Sequence, residues 1–160
     1  MEMQSEQAPT RVVLTGFMGA GKTSVGARFA TAIGWAFVDL DEEIVRSQKA
    51  SIASIFASVG EPAFRELERA ALVETLQRDN IVLALGGGAL ELASSRTLLI
   101  GDPSILLVYL HAPLEVLLAR CEEQRISMPE AARRPVLEER DALAERFLRR
   151  KPFYEAAQVP

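Results

Sequence analysis

Four short, largely apolar runs lie at intervals along the chain and lack the polar alternation of a half-exposed strand. They cover residues 11–15, 36–39, 81–85 and 104–110. Runs of this length, rich in branched side chains, predict strands that are buried on both faces. We therefore expect a parallel sheet, because helices on each side of such a sheet cover both of its faces.

Apolar residues recur at helical spacing between these runs. The spacing covers residues 22–33, 51–58, 61–78, a segment from 113 onwards, and 136–150. Gly34 is a predicted C-cap and Ser51 a predicted N-cap, while Gly60 separates the second helix from the third. Pro152 is expected to stop the last helix, because proline cannot donate the hydrogen bond that a helix interior needs. Strands that alternate with helices predict an α/β domain with three layers.

Length and composition indicate one folded domain and exclude several classes of protein. The 160 residues include 18 Lys and Arg against 22 Asp and Glu, and a net charge of −4 disfavours binding to nucleic acid or to an anionic membrane. Cys121 is the only cysteine and His111 the only histidine, which excludes an internal disulfide and a Cys/His zinc site. We expect a cytoplasmic monomer, with a disordered arm over residues 1–10 and a single domain over residues 11–160.

One segment carries a specific chemical motif. Residues 16–23 read GFMGAGKT, the G-x-x-x-x-G-K-T pattern of a phosphate-binding loop, between a predicted strand and a predicted helix. The glycines allow backbone N–H groups to converge on phosphate oxygens at the positive end of the helix. Lys22 adds a cation for the β- and γ-phosphates, and Thr23 adds a hydroxyl ligand for Mg²⁺. The alternative is a chance glycine turn before a helix, which this strand–loop–helix context disfavours.

Two further segments follow predicted strands and therefore lie at the same edge of the sheet. Asp39 and Asp41 are two residues apart at the end of the second strand, where Asp39 is placed to help hold Mg²⁺ and Asp41 to reach an acceptor hydroxyl. The alternative for one of these aspartates is to cap the following helix. Residues 86–88 are three consecutive glycines, which indicate either the close approach of a ligand to the backbone or a tight turn.

Four segments together resemble the shikimate kinase family. They are GFMGAGKTSVG from residue 16, VDLDEEIV from 38, SIASIFASVGEPAFRELE from 51 and LALGGGAL from 83. The resemblance extends from about residue 11 to residue 154. It implies a P-loop NTPase fold of the nucleoside-monophosphate-kinase type and transfer of the γ-phosphoryl group of ATP to the 3-hydroxyl of shikimate. The family pattern continues with a fifth strand and a final helix, and with only residues 155–160 remaining we expect four strands and neither of those elements.

The resemblance also implies the residues of the site. Those implied for ATP are Gly19, Ala20, Gly21, Lys22, Thr23, Ser24, Arg120 and Arg134, and those for Mg²⁺ are Thr23 and Asp39. Those implied for shikimate are Asp41, Arg65, Gly87, Arg150, Phe56 and Phe64. The implied catalytic residues are Lys22, Asp41 and Arg134. Residues 121–136 would form a mobile lid, in which Arg133 is the neighbouring alternative to Arg134.

Plainer interpretations exist for the two arginines and for the whole protein. Arg65 and Glu61 are four residues apart on a predicted helix and could form a surface ion pair, and Arg150 could be a solvated cation at a helix end. The alternative functions are a gluconate-kinase-like sugar-acid kinase and a nucleotide-sensing regulatory module. Two arginines suit a small planar carboxylate and, with the triple glycine, favour shikimate over gluconate. The intact phosphate loop and aspartate pair disfavour the regulatory module.

Overall fold

A sheet of four parallel strands forms the centre of the computed structural model, which describes residues 7–127 and 140–157. The strands are β1 (Arg11–Thr15), β2 (Ala36–Asp39), β3 (Ile81–Ala84) and β4 (Ile105–Tyr109). They lie in the order β2-β3-β1-β4, and Val13 of β1 pairs with Leu83 on one side and Leu107 on the other. The parallel sheet expected from the unbroken apolar runs is therefore confirmed.

Six helices and one short 3-10 turn complete the described part of the chain. The helices are α1 (Lys22–Ile33), α2 (Leu40–Gln48), α3 (Ile52–Thr75), α4 (Ala93–Leu99), α5 (Leu114–Ser127) and α6 (Arg140–Glu155), and the turn is Ala89–Glu91. Two predicted caps are present, because Gly34 ends α1 at a φ of 72° and the Ser51 hydroxyl accepts from the N–H of Ser54. Gly60, with φ 79° and ψ 172°, divides α3 into two arms as expected.

Helix α6 does not stop at Pro152, so this prediction was wrong. The helix continues for three residues past the proline, and contacts to other elements hold its last turn. The buried Tyr154 hydroxyl donates to the carbonyl of Gly87, and the Phe153 ring lies 4.4 Å from the guanidinium of Arg96. These tertiary contacts compensate for the loss of stability that follows because proline cannot donate a backbone hydrogen bond.

The two faces of the sheet are covered differently. On one face lies the main core, to which helices α2 to α6 all contribute buried side chains. On the other face a smaller core joins Val12 and Leu14 of β1 to Ala30 of α1. The apolar positions that define the helical period of α1 remain 40–45% exposed: Val25, Phe29 and Ile33. Helix α1 therefore packs on the sheet through its small residues, not through its large apolar stripe.

The predicted arm and lid lie at the margins of the described segments. Thr10 donates its N–H to the carbonyl of Ser104, just before β4, and its hydroxyl to Asp79, just before β3. Contacts to the domain therefore begin inside the arm expected over residues 1–10. Of the predicted lid, residues 121–127 continue α5. The rest of the lid, including both Arg133 and Arg134, lies outside the described residues.

Candidate functional site

The phosphate-loop motif connects β1 to α1 at the carboxyl edge of the sheet. Gly19 and Gly21 have φ angles of 81° and 93°, which residues other than glycine rarely adopt. The Lys22 ammonium donates to the carbonyl of Gly16 at 2.7 Å and to that of Phe17 at 3.0 Å. None of the described side chains caps α1. Its first N–H groups and the adjacent lysine therefore favour an anion at this end of the helix.

Asp39 caps a helix and contacts the phosphate loop at the same time. Its Oδ1 accepts from the N–H groups of Asp41 at 3.0 Å and Glu42 at 3.4 Å, at the start of α2. Its Oδ2 accepts from the Thr23 hydroxyl at 3.0 Å. The capping alternative is therefore confirmed for Asp39, and the cap directs the second carboxylate oxygen towards the loop.

Three carboxylates surround the guanidinium of Arg65, in the second arm of α3. Its Nη1 donates to Oε1 of Glu68 at 2.9 Å. Its Nη2 lies 3.3 Å from Oε1 of Glu61 and 3.5 Å from Oε2 of Glu91. The Glu61 pair expected from the spacing is therefore present. The Arg65 side chain is nevertheless only 11% exposed, so this pair does not make it a surface residue.

Arg150 reaches the same place from α6. Its side chain is 3% exposed, so the interpretation as a solvated helix end is wrong. Its Nε donates to Oε1 of Glu91 at 3.0 Å, while its Nη1 and Nη2 lie against Gly87 and Gly88. Buried cations are costly unless acids or a bound anion compensate them. Here Glu91 pairs with Arg150, and Glu61, Glu68 and Glu91 pair with Arg65, so acids of the protein compensate both cations.

The three glycines at residues 86–88 make room for charged side chains. None of the three has a positive φ, so a left-handed turn does not explain them. A Cβ at Gly88 would clash with the guanidinium groups of both Arg65 and Arg150. A Cβ at Gly86 would lie 2.9 Å from the carboxylate of Glu68. Of the two interpretations drawn from the sequence, the tight turn is present, because Ala89 donates its N–H to the carbonyl of Gly86 at 3.2 Å. The glycines also leave room for the protein's own arginines, and the close approach of a ligand to this backbone stays a prediction.

Glu68 is a deeply buried acid of this site. Burial and, to a smaller extent, the nearby charge of Asp41 raise its pKa to about 7, against the attraction of Arg65 and Arg150. Its Oε1 accepts from Arg65, while its Oε2 has no hydrogen-bond partner among the described residues and faces Gly86. Protonated and ionised forms of this carboxyl therefore coexist near neutral pH.

The raised pKa of Glu68 makes stability depend on pH in a defined direction. Because the folded-state pKa lies above the ordinary value of 4.5, the folded protein binds this proton more tightly, and stability falls as pH rises from about 4.5 to about 7. Glu68→Gln removes this titration. The measurement is the free energy of unfolding by urea denaturation. From pH 4.5 to pH 7 we expect the value for the parent to fall by about 3 kcal/mol more than the value for Glu68→Gln.

A matched control for this experiment is Glu66→Gln, which changes an exposed glutamate on the same helix. Its free energy of unfolding should follow the parent across the whole pH range. A Glu68→Gln curve that also runs parallel to the parent would show that the pKa of Glu68 is not raised.

Two pockets meet at this edge of the sheet. The inner pocket is lined by Met18, Asp41, Ile52, Phe56, Phe64, Arg65, Glu68, Gly86, Gly87, Gly88 and Arg150. The loop cleft is lined by residues 18–25 with Asp39, Asp41, Leu85, Gly86, Gly87, Arg120, Glu123 and Gln124. Met18, Asp41, Gly86 and Gly87 line both. Molecules bound in the two spaces would therefore meet beside Asp41.

The structure brings most of the predicted site residues together. Residues 19–24 line the loop cleft, as does Arg120, whose Nη1 donates to the carbonyl of Gly19 at 2.9 Å. Phe56 and Phe64 stack with 4.3 Å between their ring centroids and line the inner pocket. Of the predicted residues, Arg134 and its alternative Arg133 lie outside the described part of the chain.

Sequence reasoning assigned no role to several residues of the site. Glu68 could have been found, because it lies three residues after Arg65 and a helix places such residues on one face. Glu91 and Tyr154 carry no such signal. Glu91 accepts from Arg150 across 59 residues, and Tyr154 donates to the glycine turn across 67 residues. No local pattern in the sequence connects positions so far apart.

The parallel sheet, the phosphate loop and the pocket beside it define this protein as a kinase of the P-loop class. Comparison with known proteins specifies the family. The sequence profile described as "Shikimate kinase" matches residues 18–159. This chain belongs to the shikimate kinase family, whose members are ATP-dependent kinases.

Individual relatives agree with this assignment. The shikimate kinase of Salinibacter ruber is 40% identical over 154 residues, which cover 93% of this chain and 74% of the relative. The structure of shikimate kinase from Acinetobacter baumannii in complex with shikimate has a TM-score of 0.83 and 36% identity, covering 96% of this chain and 83% of the other. A gluconokinase from Sinorhizobium meliloti, at 20% identity and a TM-score of 0.55, shares the fold alone. The resemblance inferred from four motifs is confirmed, and the gluconate alternative is not favoured.

Proposed function

We propose that this chain transfers the γ-phosphoryl group of ATP to the 3-hydroxyl of shikimate. The observation that carries the proposal is the meeting of the loop cleft and the inner pocket at Asp41. A triphosphate on the phosphate loop and an acid held by Arg65 and Arg150 would face each other across this junction. The Acinetobacter baumannii relative, whose structure contains shikimate, supports the choice of acid.

In this proposal the phosphate loop and its lysine hold the nucleotide. Phosphate oxygens are charged acceptors, so they would draw the Lys22 ammonium from the neutral carbonyls that it now contacts. Residues 19–24 would supply backbone N–H groups and hydroxyls to the phosphates. Arg120 would lie against the adenine, and Arg134 would offset charge on the transferred phosphoryl group.

Thr23 and Asp39 have the chemistry that suits Mg²⁺. The ion prefers oxygen ligands and keeps water and phosphate oxygens around it, so one hydroxyl and one carboxylate from the protein are a fitting set. The two oxygens lie 3.0 Å apart, and the capping hydrogen bonds of Asp39 orient its carboxylate. When bound, Mg²⁺ neutralises charge that develops on the phosphates.

The inner pocket would bind and activate the acceptor. Arg65 and Arg150 would bind the carboxylate of shikimate, Phe56 and Phe64 would pack on its ring, and Gly87 would donate its N–H to a substrate oxygen. Asp41 would then accept the proton of the 3-hydroxyl. As that oxygen bonds to the γ-phosphorus, the bond from the γ-phosphorus to the bridging oxygen of ADP breaks.

The proposal is tested by measuring ADP release from Mg-ATP with a panel of hydroxy acids. We expect turnover that requires shikimate, with shikimate 3-phosphate as the product, and no more than background turnover with gluconate. Turnover of equal rate without an acceptor, or turnover supported by gluconate instead, would contradict the proposed function.

The cytoplasmic location and the monomeric state stay predictions. Within residues 7–127 and 140–157, no helix has both the length and the apolar character that crossing a membrane requires.

A further inference from the structure

Glu91 connects the two arginines of the inner pocket without lining that pocket itself. Its Oε1 accepts from Nε of Arg150 at 3.0 Å and from Nη2 of Arg149 at 3.3 Å. Its Oε2 lies 3.5 Å from Nη2 of Arg65. One carboxylate therefore bridges α3 and α6, the two helices that supply the arginines of the pocket.

The backbone around Glu91 is held in place by a further arginine. Glu91 ends the 3-10 turn that follows the triple glycine. Nη1 of Arg96 donates to the carbonyls of Leu90 at 2.7 Å and Glu91 at 2.9 Å. The same guanidinium lies 4.4 Å from the centre of the Phe153 ring on α6. The turn and α6 are therefore connected twice, directly by the pair of Glu91 with Arg150 and indirectly through Arg96. These connections hold the Glu91 carboxylate in place before any substrate binds.

The charge of Glu91 matches its position between the buried Arg150 and the partly buried Arg65. Burial alone would raise its pKa, but the hydrogen bond and charge of Arg150, together with the charge of Arg65, lower it, so the carboxylate is ionised at neutral pH. Glu91 engages Arg150 through Nε, while the Nη1 and Nη2 edge of that guanidinium lies at Gly87 and Gly88. The Nη1 and Nη2 edge of an arginine can bind a carboxylate through two parallel hydrogen bonds. In Arg150 this edge borders the inner pocket.

We propose that Glu91 is a positioning residue for the acceptor, which sets the spacing and orientation of Arg65 and Arg150 so that both bind one substrate carboxylate. The inference rests on the proposed function, because it takes the acceptor carboxylate to bind these two arginines. Glu91 acts through the arginines and not on the reacting atoms. Its loss should therefore weaken acceptor binding and leave nucleotide binding and the chemical step nearly unchanged.

Glu91→Gln tests this role, because it keeps the size of the side chain and removes the charge. In the ADP-release assay we expect KM for shikimate to rise about tenfold or more. KM for ATP and kcat at saturating shikimate should stay within about twofold of the parent. Glu91→Asp keeps the charge on a shorter side chain and should recover part of the lost affinity. Glu155→Gln is the matched control, because Glu155 is exposed on α6 and pairs with Lys151 at 3.6 Å.

A second measurement separates positioning from a merely structural role. In an Arg150→Ala background, Glu91→Gln should change KM for shikimate far less than it does in the parent, because one of the two arginines that Glu91 positions is absent. A lower KM for shikimate in Glu91→Gln would overturn the proposal, because the carboxylate would then compete with the substrate. An equal rise in KM for both substrates, together with a lower Tm, would also overturn it. So would unchanged KM values in Glu91→Gln. Effects of Glu91→Gln and Arg150→Ala on KM for shikimate that are additive in free energy would overturn it as well. A parent that shows no shikimate-dependent turnover would instead contradict the proposed function.

Discussion

Asp41→Asn should lower kcat for shikimate phosphorylation by about 10²–10⁴-fold. Asp41 lines both the inner pocket and the loop cleft, so it is placed where the acceptor hydroxyl would meet the γ-phosphoryl group. Asparagine keeps the size of the side chain but cannot accept the proton of the hydroxyl. Because both binding sites remain, the KM values for ATP and shikimate should change far less than kcat. The measurement is the coupled ADP-release assay at saturating Mg-ATP and shikimate.

The control for Asp41→Asn is Glu42→Gln, which removes the exposed carboxylate next to it on α2 and should keep the rate of the parent. Tm confirms that each variant is folded at the assay temperature. If folded Asp41→Asn kept kcat within about tenfold of the parent, Asp41 would not be the base of the reaction.

Arg150→Ala should raise KM for shikimate by about 10–100-fold, the range expected for a lost hydrogen bond to a charged group. The Arg150 side chain is buried, its guanidinium borders the inner pocket, and Glu91 and the glycine turn hold it in place. Water therefore cannot easily replace it as a partner for a bound carboxylate. KM for ATP should stay within about twofold of the parent, because Arg150 does not line the loop cleft.

Lys151→Ala is the matched control for Arg150→Ala. It removes the neighbouring cation, which is more exposed and pairs with Glu155 instead of bordering a pocket. Its KM values should equal those of the parent. An effect of Arg150→Ala confined to KM for ATP, or one matched by Lys151→Ala, would show that the acceptor does not bind in the inner pocket.

Features that depend on neighbouring residues could be predicted from the sequence. Ser51 caps α3 and Gly60 divides it as expected, because capping and a left-handed φ involve only a few consecutive residues. The phosphate loop is likewise contiguous. The prediction for Pro152 failed because a hydrogen bond from Tyr154 and the packing of Phe153, both made to distant elements, sustain the helix beyond it.

By itself, the sequence determined the α/β class, the parallel sheet and the phosphate loop, because periodicity and contiguous motifs express these directly. Only the tertiary structure decided which face of α1 packs on the sheet, that Arg150 is buried, and that Glu91 joins it to Arg65. These outcomes depend on contacts between elements far apart in the chain, whose approach is set by packing of the whole core. The triple glycine shows both levels, since its composition indicated either a tight turn or the close approach of a ligand, and the fold showed a turn packed against two arginines.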